Sequence, residues 1–387
     1  MEGSRFARFR PGTVIMRRRF VPLLAGVLVL GGCGGGSTDG SPATPVAPAV
    51  NAAAAPRIGT SAALGGAVVV SLSSTTTGAT IHYTTDGTTP TSASPQYQAP
   101  FLVTSSQTVQ AVAMASGLNT SAVATQSLTV TVPSGTLVWS DEFANTSGSP
   151  IAPDAAVWTY DTGNSGFGNS ELETYCAAGS NAAPCQATAP NAWVGGDGLH
   201  IVARNPSAGV YTSARLKTQG LFSFRYGRLE VMASVPEAQG LWPAIWTLGN
   251  SIATAGWPAS GEQDVMEHVN AATTPDVIAA TLHSPGADPS TQYRFPAGQT
   301  AAGLHAYGMV WSPQQVAFYV DDPANVYATY TAAQVTALNG GVWPFDNGQA
   351  NFILLNLAVG GAWPGPPDGT TPWPSEMVVK YVRIYAN

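Results

Sequence analysis

Three carboxylates, Glu262, Asp264 and Glu267, fall within one six-residue stretch of the segment Gly261-Glu-Gln-Asp-Val-Met-Glu267. Like charges this close repel one another unless a site makes use of them. On a regular strand, residues two apart share a face, so Glu262 and Asp264 point the same way and Glu267 points to the other side. One extra residue taken up as a β-bulge, Val265 or Met266, returns Glu267 to the shared face. Glycoside hydrolysis calls for such a set: one carboxylate attacks the anomeric carbon and another protonates the leaving oxygen. A third acid between them can hydrogen-bond the nucleophile and raise the pKa of the proton donor. A solvated acidic strand edge fits less well, because Trp257-Pro258, Val265, Met266 and Val269 flank the acids. A calcium site would draw on loop carboxylates at a different spacing.

The elements that must position these acids read as strands. The chain has 387 residues, 44% of them hydrophobic and only 10% charged, with 42 Gly and 30 Pro. That supplies a sizeable core and favours strands and turns over long helices. All ten Trp occur after Leu137, a concentration that suits a sugar-binding cleft, although Trp is also a common core residue. Short β-prone runs recur there: Leu199–Ala203, Gly227–Met232, Val316–Val320, Phe352–Leu357 and Val378–Tyr385. No long helical period interrupts them, so residues 135–387 are expected to form one large β-sandwich. Residues 57–131 form a separate pattern. Val68–Leu72, Ala79–Tyr83 and Thr108–Met114 are β-prone, and Asp86-Gly87 and Ser116-Gly117 supply turns. This predicts a small, immunoglobulin-like β-sandwich, and the whole chain is expected to be all-β.

The N-terminus carries address information. Arg17-Arg18-Arg19 precedes the apolar run Val21–Leu30, too short to span a bilayer comfortably and suited to the core of a signal peptide over residues 1–32. Leu30-Gly-Gly-Cys33 resembles a bacterial lipobox, which implies lipidation at Cys33, export, and a membrane anchor at the outer membrane or cell surface. A plain signal peptide is the alternative, and the Arg pair before Phe20 leaves Sec or twin-Arg export open. Residues 33–56, rich in Gly, Ser, Thr, Pro and Ala, are expected to be a flexible tether. Six of the fifteen basic residues lie in the leader, so the remainder is more acidic than the formal charge of −7. Such a balance argues against nucleic acid as a partner. Cys176 and Cys185 are close in sequence and, if exported, oxidised, so a disulfide is expected, with two free thiols as the alternative. The pair alone offers too few ligands for a metal site.

Glu-x-Asp-x-x-Glu preceded by Trp-Pro-x-x-Gly resembles the signature of glycoside hydrolase family 16. Further stretches fit in order: Trp139–Phe143, Gly168-Asn-Ser-Glu-Leu172, Phe222–Glu230, Gly240–Trp246, Thr281–Gly286, His305–Trp311 and Leu355–Gly365. The resemblance implies a concanavalin A-like β-jelly roll, with Glu262 as nucleophile, Glu267 as acid/base and Asp264 as assisting acid. It also implies Trp257, Trp363, Trp242, His283, Asn169 and Arg228 as substrate-binding residues, and His305 as a support of the fold. The six-residue spacing is similar to laminarinase-like members, which implies retaining endo-cleavage of β-1,3-glucan by a monomer without a cofactor. Mixed-linkage glucan, a galactan, transglycosylation or glycan binding without cleavage are the alternatives. Gln263 departs from the aliphatic residue usual in the family. Many members bind a structural calcium with an acid of the opening strand, a Gly carbonyl and an Asp of the last strand. Here Glu142 and Gly196 match the first two, but Lys380 takes the third place, so no metal is expected and Lys380 is expected to pair with Glu142. Ile81–Pro90 resembles the small β-sandwich appended to some chitobiases and hexosaminidases, read here as a spacer in preference to a carbohydrate-binding module.

Overall fold

The structure is a computed structural model that describes residues 51–269, 274 and 276–387. The signal segment, Cys33 and the tether as far as residue 50 lie outside the described residues.

The small domain contains six strands: β1 (Arg57–Ala62), β2 (Val68–Ser73), β3 (Thr80–Thr84), β4 (Phe101–Val103), β5 (Ser105–Met114) and β6 (Ala124–Thr131). They form two three-stranded sheets, β1-β2-β4 and β3-β5-β6. Val70, Leu72, Ile81, Tyr83, Phe101, Val109, Ala111 and Leu128 fill the space between them. Residues ahead of this domain's first strand pack against it. Ala53 is buried and its N–H donates to the Asn119 carbonyl at 2.9 Å, and the Ala54 N–H donates to the Thr76 hydroxyl at 2.8 Å. Residues 53 and 54, read from composition as tether, are therefore part of the sandwich, because small residues pack closely against its turns.

The large domain begins with β7 (Leu137–Asp141), β8 (Thr159–Asp161), β9 (Glu173–Tyr175), β10 (Ala192–Gly195), β11 (Gly198–Ser207), β12 (Val210–Ser213) and β13 (Arg215–Lys217). It continues with β14 (Gly227–Ser234), β15 (Leu241–Gly249), β16 (Glu262–Glu267), β17 (Val277–His283), β18 (Ser290–Arg294) and β19 (His305–Ser312). The last strands are β20 (Gln315–Val320), β21 (Val326–Thr331), β22 (Asn351–Val359) and β23 (Ser375–Tyr385). The helices α1 (Ile252–Ala255) and α2 (Ala332–Ala337) are short. Among the described residues, one sheet runs β21-β20-β19-β14-β23-β11-β12-β9, with β10 and β7 at its side. The facing sheet runs β18-β17-β16-β15-β22-β13-β8. This is the expected jelly roll. Its core is made by alternate residues of both sheets: Leu229, Val231, Met309, Trp311, Val382 and Ile384 from one, and Leu216, Ile245, Val265, Ile353, Leu355 and Leu357 from the other. Strand β22 is buried along its whole length. Its other face packs Phe352 and Leu354 against Ala244, Trp246 and Leu248, which explains its largely apolar sequence.

The two domains share backbone pairing and core. The Leu102 N–H donates to the Ser223 carbonyl at 3.0 Å, and the Ser223 N–H donates to the Pro100 carbonyl at 2.9 Å. Ala67 and Leu102 join the large core, while Ala350 joins the small one.

Cys176 and Cys185 are joined by a disulfide with their Cα atoms 5.7 Å apart. Lys380 does not pair with Glu142. Its ammonium donates to the Asp197 carbonyl, while Arg383 grips Glu142 through Nε and Nη2 at 2.9 and 2.8 Å. Two residues along β23 separate adjacent rungs of the same face, so Arg383, directly across from Ser140 beside Glu142, is the nearer cation. Arg383 thus holds the Glu142 carboxylate and a lysine stands in the third place, so these residues do not fit that ion.

Candidate active site

The acids sit on β16, between β15 and β17. Leu248, Thr247 and Trp246 pair with Glu262, Gln263 and Asp264, and Ile245 and Ala244 pair with Met266 and Glu267, leaving Val265 unpaired. On the other side Asp264 pairs with Thr281 and Glu267 with Ala279, so Val265 and Met266 together oppose Ala280. Both bulged side chains are buried in the core. Paired residues of adjacent strands share a face. Glu262, Asp264 and Glu267 therefore line up with Leu248, Trp246 and Ala244 on the face of the sheet turned away from the core. The bulge demanded by parity is present, and it consists of two apolar residues that both gain from burial.

Gly261 fixes the entry to this strand. Its φ is +77°, and a Cβ there would lie 2.9 Å from Pro344 Cγ and 3.0 Å from Phe345 Cε1. Glycine meets both demands at once. Gln263, the residue without an aliphatic side chain, is fully buried behind the acids. Its Oε1 accepts from the Thr247 hydroxyl at 2.8 Å and from Asn351 Nδ2 at 3.3 Å. These partners satisfy its oxygen, while its Nε2 is buried with no acceptor on the protein.

Each acid has a companion. Trp242 Nε1 donates to Glu267 Oε1 at 2.9 Å. His283 Nε2 lies 3.2 Å from Asp264 Oδ2 and 3.9 Å from Glu262 Oε1, and its Nδ1 is 2.9 Å from Asp288 Oδ1. Burial alone would lower the His283 pKa, but Asp264 and Glu262 push it up to about 10, so the ring is a cation at neutral pH. The facing oxygens and nitrogen of Glu262, Asp264 and His283 lie within 4.8 Å of one another. With both ring nitrogens donating, His283 acts here as a counter-ion and is not set up as a metal ligand. Burial, and after it the charge of Asp264, holds Glu267 well above the ordinary carboxylate range. The same two causes raise Glu262, opposed by His283, Arg215 and the Trp257 indole. Burial raises Asp264 as well, with His283 opposing.

Around the acids, Trp257 and Trp363 are the exposed aromatics, at 58% and 42% accessibility. Trp257 lies 5.5 Å from the His283 ring, and Trp363 meets Trp242 edge-on at 5.6 Å. The Asn169 carbonyl accepts from the Ala362 N–H at 2.8 Å, and its Nδ2 donates to Glu171 Oε1 at 3.1 Å. Asn169 thereby borders the same end as Trp363.

Arg228 does not join this group. It lies on β14, in the opposite sheet, where its Nη1 donates to Glu230 at 2.7 Å and to the Tyr319 hydroxyl at 3.0 Å. Its neighbours Leu229 and Val231 occupy the core-facing positions, which turns Arg228 to the outside of the molecule. The arginine of the acid-bearing face is Arg215 on β13, which the motifs did not single out. It shares a row with Asn356, Ala244 and Glu267 across successive strands. Its guanidinium lies 4.5 Å from the Trp246 ring, and its Nε is 3.0 Å from Asp161 Oδ2. The signal in the sequence is the alternation Arg215-Leu216-Lys217, a strand with one apolar and one charged face.

Exchange of the two arginines separates these readings. Arg215→Met is expected to lower kcat/KM on polysaccharide by about tenfold or more, and Arg228→Met to leave it within about twofold. Thermal melts alongside the assays control for loss of fold. Equal effects of the two substitutions would contradict the placement.

The acid-bearing strand and its aromatic surround lie within residues 179–374, which match the family model of Glycosyl hydrolases family 16. Residues 59–125 match the Chitobiase/beta-hexosaminidase C-terminal domain. A beta-glucanase of Rhodothermus marinus is 40% identical over 267 residues, covering 65% of this chain and 86% of that protein. Glucan endo-1,3-beta-glucosidase A1 of Niallia circulans is 33% identical over 277 residues, covering 64% of this chain and 37% of that protein. The laminarinase catalytic domain of Thermotoga maritima superposes with a TM-score of 0.55 at 35% identity, covering 65% of this chain and 98% of that one. Fold, bulged acid strand and sequence agree: the chain belongs to glycosyl hydrolases family 16, as a β-glucanase-like member with a chitobiase/hexosaminidase-type domain ahead of its jelly roll.

Proposed function

We propose that the protein is a retaining endo-β-1,3-glucanase that cleaves laminarin-like glucan by double displacement. The observation that carries this reading is the Val265–Met266 bulge, which sets Glu262, Asp264 and Glu267 on one face. Glu262 is the nucleophile. Burial and the Asp264 charge raise it to about 8, and the His283 cation and the Trp257 indole beside it limit that rise. Glu267 is the acid/base. Burial and the Asp264 charge hold it well above the ordinary carboxylate range, and the Trp242 N–H fixes one of its oxygens. Protonation of the leaving oxygen by Glu267 accompanies attack by Glu262, and the glycosyl-enzyme is then opened by water that Glu267 deprotonates. Asp264 stands between them, on the same face as both, and supplies negative charge that delays ionisation of the acid. Trp257 and Trp363 offer apolar surfaces to the sugar rings on either side. Names of relatives at 33–40% identity that refer to β-glucan and β-1,3-glucan support the choice of substrate.

Release of reducing ends from laminarin, lichenan, agarose and carrageenan tests the substrate, with laminarin expected to be the fastest. Glu262→Gln is expected to cut turnover at least about a thousandfold. Unchanged turnover in that variant would sink the assignment, and glycan binding without cleavage by the unaltered protein would leave the non-catalytic reading. The pH dependence follows from the signs of the shifts. Activity rises as Glu262 loses its proton and falls as Glu267 loses its own. Both groups are raised by the charge of Asp264. Asp264→Asn should therefore slide both limbs of the profile towards acid, besides lowering its height. A profile that keeps its position would contradict the role given to Asp264.

We further propose export with a lipid at Cys33, on the sequence of residues 17–33 alone. Incorporation of labelled fatty acid that survives Cys33→Ala would exclude it.

A further inference from the structure

A second hollow lies away from the acids. It has a volume of about 300 Å³ and is lined by Gln186, Arg204, Asn205, Thr212, Trp373 and Pro374. That is the lower end of the range for small-ligand sites. Arg204 and Asn205 come from β11 and Thr212 from β12, in the sheet opposite the acids. Gln186 follows the disulfide at Cys185, and Trp373 precedes β23.

The chemistry of the lining is specific. Trp373 is half-buried and packs against Tyr211, with ring centroids 5.3 Å apart and a tilt of 33°. Arg204 Nη2 donates to the Pro190 carbonyl at 3.1 Å, but its Nε is buried and has no acceptor on the protein. A buried donor left this way is costly. Among the described residues, the side-chain amides of Asn205 and Gln186 make no hydrogen bond within the protein. The hollow therefore joins an aromatic platform to a guanidinium and two amides with uncommitted donors and acceptors. An anion fits poorly, because Glu376 is close enough to act on Arg204 and the chain as a whole is acidic. A neutral pyranose fits. Its C–H face lies against an indole, and its hydroxyls both donate to and accept from planar side chains.

The segment that starts at Asn169 runs through β9 into the disulfide loop, and the segment that starts at Trp363 runs to Trp373. We propose that this hollow is a second glycan-binding site, which holds one or two neutral pyranose units of the polymer and keeps the enzyme on its substrate without taking part in cleavage. The choice of β-1,3-glucan as the polymer rests on the function proposed above.

The test uses the full chain carrying Glu262→Gln, so that binding is read without cleavage. Depletion onto insoluble β-1,3-glucan is measured for this protein and for the same protein with Asn205→Ala or Trp373→Ala. Both substitutions are expected to weaken binding about fivefold or more. In the active enzyme they should slow attack on the insoluble glucan while kcat/KM on a short soluble β-1,3-oligosaccharide stays within about twofold. The Asn205 side chain has no hydrogen bond to lose among the described residues, so Asn205→Ala keeps the test open even if removal of Trp373 unsettles its packing on Tyr211. Unchanged binding in Asn205→Ala overturns the proposal, and so does a loss confined to Trp373→Ala. Failure of the substrate reading has a different signature. The active enzyme would then leave laminarin intact, and the same depletion would be run on lichenan and agarose. Sensitivity to both substitutions on either polymer would uphold the site, and binding to none of them would overturn it.

Discussion

A strand alternates its side chains with a period of two, and three acids at positions 262, 264 and 267 violate that period. The arrangement of the working face depends on how the violation is absorbed. The extra residue is taken up where both bulged side chains, Val265 and Met266, can enter the core between the sheets. Burial of two apolar side chains offsets the lost ladder pairing, each contributing roughly 1.5–3 kcal/mol. A polar residue at either place would put the register and the core in conflict. The geometry of the acid-bearing face and core packing are therefore set by the same two residues.

Three acids on one buried face carry an electrostatic cost, and the surroundings distribute it. His283, held between Asp264 and Asp288, brings a positive charge to the side of Glu262, and Trp242 gives Glu267 a neutral donor. The result is asymmetric. Burial and the Asp264 charge raise both glutamates, and the cation opposes that rise more strongly at Glu262 than at Glu267. One short strand thereby holds two carboxyl groups in different electrostatic surroundings. Behind them, Thr247, Gln263 and Asn351 tie three neighbouring strands together by side-chain hydrogen bonds.

Local periodicity was enough to read much of this from the sequence. Parity over six residues demands the bulge, and the strand runs and the two sandwiches follow from alternation and turn residues. What escaped depends on register between distant strands. Arg228 sits in a motif that fits the family, but only pairing with Val310 and Tyr385 shows that its strand belongs to the other sheet. Arg215 reaches the acid face because β13 lies beside β22, a neighbour more than a hundred residues away in sequence. The partner of Lys380 turned on the same kind of information. Gln263 looked out of place because its two partners come from other strands. Residues 53 and 54 looked like tether because composition does not reveal which small residues find a surface.

The pairing between the domains links the small sandwich to the back of the acid strand. Pro100 and Leu102 bond to Ser223, its neighbour Phe224 bonds to Asn351 in both directions, and Asn351 reaches Gln263 between two of the acids. A boundary drawn by sequence families falls between the two domains, yet covalent continuity, hydrogen bonding and apolar packing all cross it. For anyone who grafts this catalyst onto another scaffold, the transferable part starts ahead of Ala53. A cut in the short connection after β6 would separate two sequence modules and sever one physical object.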